Sequence, residues 1–182
     1  ETLIAASAPA GPAFEGGGLS CGGPAQAGAI THVAMRDGAL EFKALNGVAP
    51  SHLCGSAYVD FLAQARGSGV LSETGRLDAA AGRITPGSRV KQYEIASGIS
   101  VDEHDISLLL QAKAAVQAGA SMLLRAAGLK AGELHTIYVA GGFGRHLDAA
   151  SAQRIGMLPD VPLERIKVVG NTELTGSYHV GP

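Results

Sequence analysis

Hydrophobic and polar positions along this 182-residue chain follow two rhythms, a period of two near the N-terminus and a period of 3.6 further on. Residues 2–8 read as a strand. Residues 28–45 read as a hairpin: Ile30, His32 and Ala34 alternate with Thr31, Val33 and Met35, Asp37-Gly38 makes the turn, and Leu40, Phe42 and Ala44 return. Three strands in meander order are expected. After Pro50, Ser51 caps a predicted helix carrying Leu53, Ala57, Val59, Phe61, Leu62 and Ala65, which ends at Gly67-Ser68-Gly69. His52 and Cys54 fall in its first turn, at a spacing that points them apart. Residues 74–89 lack periodicity and read as a surface excursion, and residues 92–96 as a short edge strand.

The longest periodic stretch runs from Asp105 to about Ala127, with Ile106, Leu109, Leu110, Lys113, Val116, Ala120, Leu123 and Leu124 on one face. Asp105 or Asp102 caps it, and Gly128 ends it. Its alanine-rich middle makes a slim helix. Residues 136–140 then read as a buried strand that stops at Gly141-Gly142, and Asp148 caps a helix through Ile155. A second strand over residues 166–169 ends in Gly170-Asn171-Thr172, where Asn171 or Thr172 can cap a further helix. Strands separated by helices imply a parallel portion of sheet, with both glycine turns at its carboxyl edge.

Two readings of Gly141-Gly142-Phe143-Gly144 stand side by side. The glycines close a tight connection, or they let a ligand approach the backbone beside a helix start, where an anion or nucleotide can sit. The spacing lacks the G-x-G-x-x-G pattern of dinucleotide sites. Two residues elsewhere have the same double character. Glu15, the only charged residue between Glu1 and Arg36, is a surface glutamate or a functional acid, and Lys113 is a snorkelling lysine or a ligand contact.

Composition narrows the class. With 46% hydrophobic and 16% charged residues, the chain suits one α/β domain. A net charge of −2 gives no footprint for nucleic acid or an anionic membrane, and runs such as residues 106–110 are far shorter than a membrane span. The N-terminus lacks the basic start of a signal peptide, so a cytoplasmic location is expected. Cys21 and Cys54 lack C-x-x-C spacing and read as small hydrophobes, with no metal site expected. A chain that opens inside a strand suggests an excised piece.

The segments AASAPAGPAFEGGG (5–18), PSHLCGSAYVD (50–60), DISLLLQAKAA (105–115), VAGGFGRHLD (139–148) and VVGNTELTG (168–176) resemble, in this order, the C-terminal region of the reductive activators of corrinoid proteins. The resemblance spans nearly the whole chain. It implies a ribonuclease H-like lobe of the acetate and sugar kinase, heat-shock chaperone and actin superfamily: a mixed sheet with a β-meander followed by βα units. The single domain 1–182 would be the second lobe. The first lobe, the phosphate loop and a ferredoxin-like domain holding a 2Fe–2S cluster on four cysteines would lie outside the chain.

The resemblance further implies an ATP-dependent activator that returns Co(II) corrinoid proteins to Co(I), with ATP and Mg2+ shared between two lobes and the corrinoid protein as partner. Gly141, Gly142, Phe143 and Gly144 would approach the adenosine, and Lys113 would reach the nucleotide. Phe14, Glu15 and Gly16 would border the phosphate side of the cleft or the corrinoid-protein contact, and Asn171 would steady the cleft floor. No catalytic residue is assigned, the lobe alone is expected to be inactive, and a homodimer is left open. Two rival classes are a sugar or carboxylate kinase or hydantoinase-like enzyme on the same scaffold, and a protein-interaction lobe that binds no nucleotide.

Overall fold

The computed structural model describes residues 3–36, 39–80, 83 and 90–170. The predicted hairpin is present as β1 (Ala29–Arg36) and β2 (Ala39–Ala44), antiparallel, with Val33 opposite Phe42 and Met35 opposite Leu40. Its Asp37-Gly38 turn lies outside the described residues. A bulge between Ile30 and His32 breaks the alternation, so Ile30 and Thr31 are both buried and His32 comes to face Lys43. The predicted meander loses its first strand. Leu3–Ala8 has no regular structure and is exposed, Leu3 to 94%, because no described strand pairs with it and no core lies against its apolar side chains.

The third strand of this sheet is instead β3 (His52–Leu53), parallel to β1. It displaces the predicted start of the following helix. Ser51 N donates to the Gly28 carbonyl, Leu53 N to Cys21 and Cys54 N to Ile30, so these amides are committed to loop and sheet bonds and cannot open a helix. Helix α1 therefore runs Gly55–Gly67 with Cys54, not Ser51, at its N-cap. Tyr58, Val59, Phe61 and Leu62 are fully buried, which makes α1 the centre of the core.

Beyond α1, Leu71 bridges to a buried Leu77, so the predicted surface excursion is anchored at its start. The expected strand β4 (Gln92–Ala96) is present and pairs antiparallel with β5 (Ile99–Asp102), which the sequence pattern did not indicate. Helix α2 (Glu103–Ala127) follows. Asp102 caps it through the Asp105 amide at 2.7 Å, and Gly128 ends it in the left-handed conformation at φ 68°. By length and composition α2 reaches the threshold of a membrane-spanning helix, a longer apolar stretch than the run over residues 106–110 suggested. In the fold its first half lies on the core through Ile106, Leu109 and Ala112.

Strands β6 (Ile137–Ala140) and β7 (Ile166–Gly170) pair in parallel, as expected from the helix between them, α3 (Ala149–Arg154), which Asp148 caps through Ser151 N at 2.6 Å. β6 is not the buried strand its composition suggested: Tyr138 is 65% exposed, and only the Ile137 and Val139 side faces the interior. The helix predicted after Asn171 lies outside the described residues.

One buried carboxylate ties α2 to the N-terminal loops. Asp105 Oδ1 accepts from Ser20 N at 2.8 Å and Ser20 Oγ at 3.1 Å, while Oδ2 is buried without a described partner, as is the Tyr58 hydroxyl. Burial pushes the Asp105 carboxyl up from the ordinary 3.8, and the Asp102 charge adds to this. Burial, reinforced by the Asp105 charge, likewise pushes the Tyr58 phenol up.

Replacing Gly55 by alanine would drive a Cβ into the Phe14 carbonyl, whereas Gly67 faces open space. Urea denaturation is expected to show Gly55→Ala losing about 3 kcal/mol, the upper end of overpacking costs, and Gly67→Ala unchanged or gaining up to about 1 kcal/mol. Because the folded-state pKa of Asp105 lies above its unfolded value, stability falls as pH rises from 3.8 through that folded value. Asp105→Asn keeps the Oδ1 acceptor and should raise Tm at pH 7, a gain that shrinks as pH falls toward 3.8; a gain independent of pH would contradict the assignment.

Candidate functional site

Four segments distant in sequence meet around a cleft of about 400 Å³. One wall is a 3₁₀ turn, Ala13–Glu15, which presents Phe14 and Glu15. Gly16 closes this turn at φ 81° by donating to the Ala13 carbonyl, and it lies so close to the Gly23 backbone that no side chain fits between the two loops. The floor is the start of α1, where Cys54, Gly55 and Ser56 face the cleft. Gly55 is required there by the Phe14 carbonyl seated on it.

The rim is Gly23-Pro24-Ala25, held by His52. The Pro24 carbonyl can only accept, so His52 Nε2 carries the proton for that 2.7 Å bond, and Nδ1 at 2.9 Å accepts from the Ser51 hydroxyl. Directly beneath the ring, Gly23 leaves room for it. On the floor, Ser56 Oγ donates to the Thr31 carbonyl at 2.7 Å, which leaves the buried Cys54 thiol to donate to Ser56 Oγ at 3.2 Å. The amides of Gly55 and Ser56 lie in the first turn of α1, where no helical acceptor exists, and among the described residues they have none.

The facing wall is the glycine turn after β6. Gly141 takes φ 99° and accepts from Gly144 N, and a 3₁₀ turn over Phe143–His146 separates the glycines from α3, so the glycines do not open that helix directly as the strand-glycine-helix pattern suggested. Gly142, Phe143, Arg145 and His146 line the cleft, and the Phe143 ring stands 5.5 Å from that of Phe14. The exposed Arg145 guanidinium has no hydrogen-bond or ion-pair partner among the described residues.

Of the residues singled out by sequence, Phe14, Glu15, Gly142 and Phe143 thus share one cleft. Gly16, Gly141 and Gly144 shape its walls from behind, Gly144 by packing on Val139. Lys113 does not line it: its Nζ donates to Gln117 Oε1 at 2.8 Å on the same helix, next to Gly156. Asn171 lies outside the described residues. Sequence reasoning assigned no role to Arg145, His146, Ser56 or the Gly23–Ala25 rim. The signal for the first two was their place directly after the glycine turn.

His32 and Asp60 join the hairpin to α1. Asp60 on α1 is buried, and its Oδ2 accepts from His32 Nδ1 at 3.2 Å and from Val33 N at 3.3 Å. The hydrogen bond to Asp60 holds His32 above the ordinary 6.5 against the opposing effect of burial. The stabilisation from this pair is complete below 6.5 and is lost as pH rises through the raised value; with His32 42% exposed it is a modest contribution. His146 shifts the other way, lowered first by burial and then by the charges of His32, Arg145 and Lys43.

No three His, Cys, Asp or Glu side chains gather as a metal site among the described residues. Cys21 and Cys54 are free thiols, two where an iron–sulfur cluster of four cysteine ligands needs four, and the Cys54 thiol is engaged with Ser56. These residues do not fit such a cluster. The cleft does fit a nucleotide in size and in its mix of aromatic, cationic and amide groups.

A solved structure titled reductive activator for corrinoid, iron-sulfur protein superposes with a TM-score of 0.87 at 32% identity, covering 95% of this chain and 29% of that one. The corrinoid activation enzyme RamQ of Eubacterium limosum is 30% identical over 97% of this chain and 33% of its own length. A Co(II) methylated amine-specific corrinoid protein reductase of Methanosarcina barkeri is 28% identical over 96% of this chain and 34% of its own length. The chain therefore spans about a third of the length of these relatives, and its mixed α/β architecture is that of an actin-like ATPase domain. A family model described as the C-terminal domain of RACo, the ASKHA domain, matches residues 1–181, and the chain belongs to that family of corrinoid-activator domains.

Proposed function

We propose that this chain is the nucleotide-binding lobe of an ATP-dependent reductive activator that returns Co(II) corrinoid proteins to Co(I). The observation that carries the reading is convergence: three segments that resemble the activators, 5–18, 50–60 and 139–148, are far apart in sequence and meet at one cleft. The relatives' functions, corrinoid activation and Co(II) corrinoid protein reduction, support the same reaction.

Each wall has a chemical use. The aromatic face of Phe143 beside the Gly141-Gly142 backbone, which carries no side chain, suits the flat, uncharged end of a nucleotide. Arg145 supplies a guanidinium that stacks on a base or pairs with a phosphate. The free amides at the start of α1 favour an anion through the helix dipole. Glu15 adds a carboxylate that suits a Mg2+-bound phosphate or the corrinoid-protein contact.

Reducing Co(II) to Co(I) takes one electron, which would have to come from a redox centre outside this chain, since its two free thiols do not hold an iron–sulfur cluster. ATP contributes by binding unequally to open and closed arrangements of two lobes, so that the closed state grips the corrinoid protein differently from the open one. The chain's domain role is that of the second lobe. Its free thiols suit a reducing cytoplasm, and a homodimer is compatible with the proposal.

Calorimetric titration of Mg-ATP into the chain should give saturable binding. Arg145→Ala should weaken it about tenfold, about 1.4 kcal/mol, and Phe143→Ala by a similar factor. Absence of binding at millimolar nucleotide by a folded chain would overturn the reading in favour of a protein-interaction lobe.

A further inference from the structure

The rim is the least supported wall of the cleft. Pro24 and Ala25 are exposed, so burial does not fix them, and Pro24 has no amide with which to join a ladder. The backbone bonds that tie this loop to β3 end at Gly23: Leu53 N donates to the Cys21 carbonyl at 2.8 Å, and Gly23 N to the Leu53 carbonyl at 3.0 Å. Beyond that point the loop bonds to itself, with Gln26 N donating to the Pro24 carbonyl at 2.9 Å. Among the described residues a single hydrogen bond carries Pro24 or Ala25 to another element, and it comes from the His52 side chain. The surroundings of the ring are fitted to that bond. Ser51 Oγ at 2.9 Å occupies Nδ1 and leaves the proton on Nε2, which donates to Pro24, and Gly23 has no side chain where a Cβ would stand 2.5 Å from ring Cδ2.

The rim also stands between the two parts of the cleft that suit phosphate. On one side Gly22 and Gly23 lie against Gly16, at the end of the Glu15 turn, and on the other β3 runs straight into Cys54 and the free amides of α1. Phe143 belongs to the facing wall. We infer that His52 is a positioning residue for the phosphate end of a bound ligand: through the Pro24 carbonyl it holds the rim beside the start of α1, and so sets how tightly the cleft retains a polyphosphate. This rests on the reading of the cleft as a nucleotide site. The ring itself does not line the cleft and acts through the loop. A loosened rim admits water to an anion at the α1 amides, where each hydrogen bond then competes with solvent, while the Phe143 wall keeps its hold on the base.

The test compares calorimetric affinities for tripolyphosphate and for Mg-ATP in the wild type, His52→Ala, His52→Gln and Ser51→Ala. His52→Ala should weaken both ligands by the same factor, about fivefold, which is what the net contribution of one hydrogen bond gives. His52→Gln, whose amide nitrogen reaches nearly as far as Nε2, should bring both back to within about twofold of the wild type. Ser51→Ala keeps the ring and removes only its Nδ1 partner, so its affinities should fall between those of the wild type and His52→Ala. Hydrogen exchange separates positioning from general loosening: in His52→Ala the Gly23 and Gln26 amides should exchange faster while those of α1 stay unchanged. Unaltered tripolyphosphate affinity in His52→Ala, a loss confined to ATP, His52→Gln no better than His52→Ala, or faster exchange throughout α1 overturns the inference, and wild-type ATP binding can still stand. Tripolyphosphate binding with the expected pattern but no ATP binding supports the inference and removes the nucleotide reading, whereas a wild-type chain that binds neither overturns both.

Discussion

The cleft depends on one close contact, the Phe14 carbonyl seated on the Cα of Gly55 at the first turn of α1. No other residue type allows it, because any Cβ would occupy the space of that oxygen. The contact sets an irregular glycine-rich loop on the end of the most buried helix, so a segment with little regular hydrogen bonding inherits the rigidity of the core. Phe143 then closes on Phe14 from the far side. Three loops are thereby held at fixed distance without a continuous sheet beneath them.

Buried polar groups hold this arrangement in register at some cost. Asp105 fastens the Ser20 loop to α2, and Asp60 fastens β1 to α1, yet each leaves one oxygen buried without a described partner. Unpaired buried oxygens are expensive. Asp60 lies on α1, whose first turn floors the cleft. Stability is lowered where the fold gains a defined geometry.

Much of the fold was legible because local signals were unopposed. Asp102, Gly128 and Asp148 cap their helices as their types and positions indicate, and the β1–β2 hairpin follows its alternation. Errors occurred where tertiary bonds overrode local preference. Ser51 is a sound cap by type, but amides from Ser51 to Cys54 were claimed by loop and sheet carbonyls, which moved the helix start to Gly55. Residues 2–8 have strand composition, but a strand exists only with a pairing partner.

The sequence by itself determined both ends of α2, the cap of α3, the β1–β2 hairpin, the glycine turn and, through five ordered motifs, the family. Those are properties of neighbours along the chain, where spacing and residue type carry the information. Only the tertiary structure decided which of the candidates share a cleft, because that depends on contacts between residues separated by dozens of positions. It placed Phe14 against Phe143, brought Arg145, His146 and Ser56 to the same space, and left Lys113 paired within its own helix. It also turned His32, an ordinary alternating residue of a hairpin, into the partner of a buried carboxylate, since nothing in the local pattern of β1 refers to Asp60 on α1.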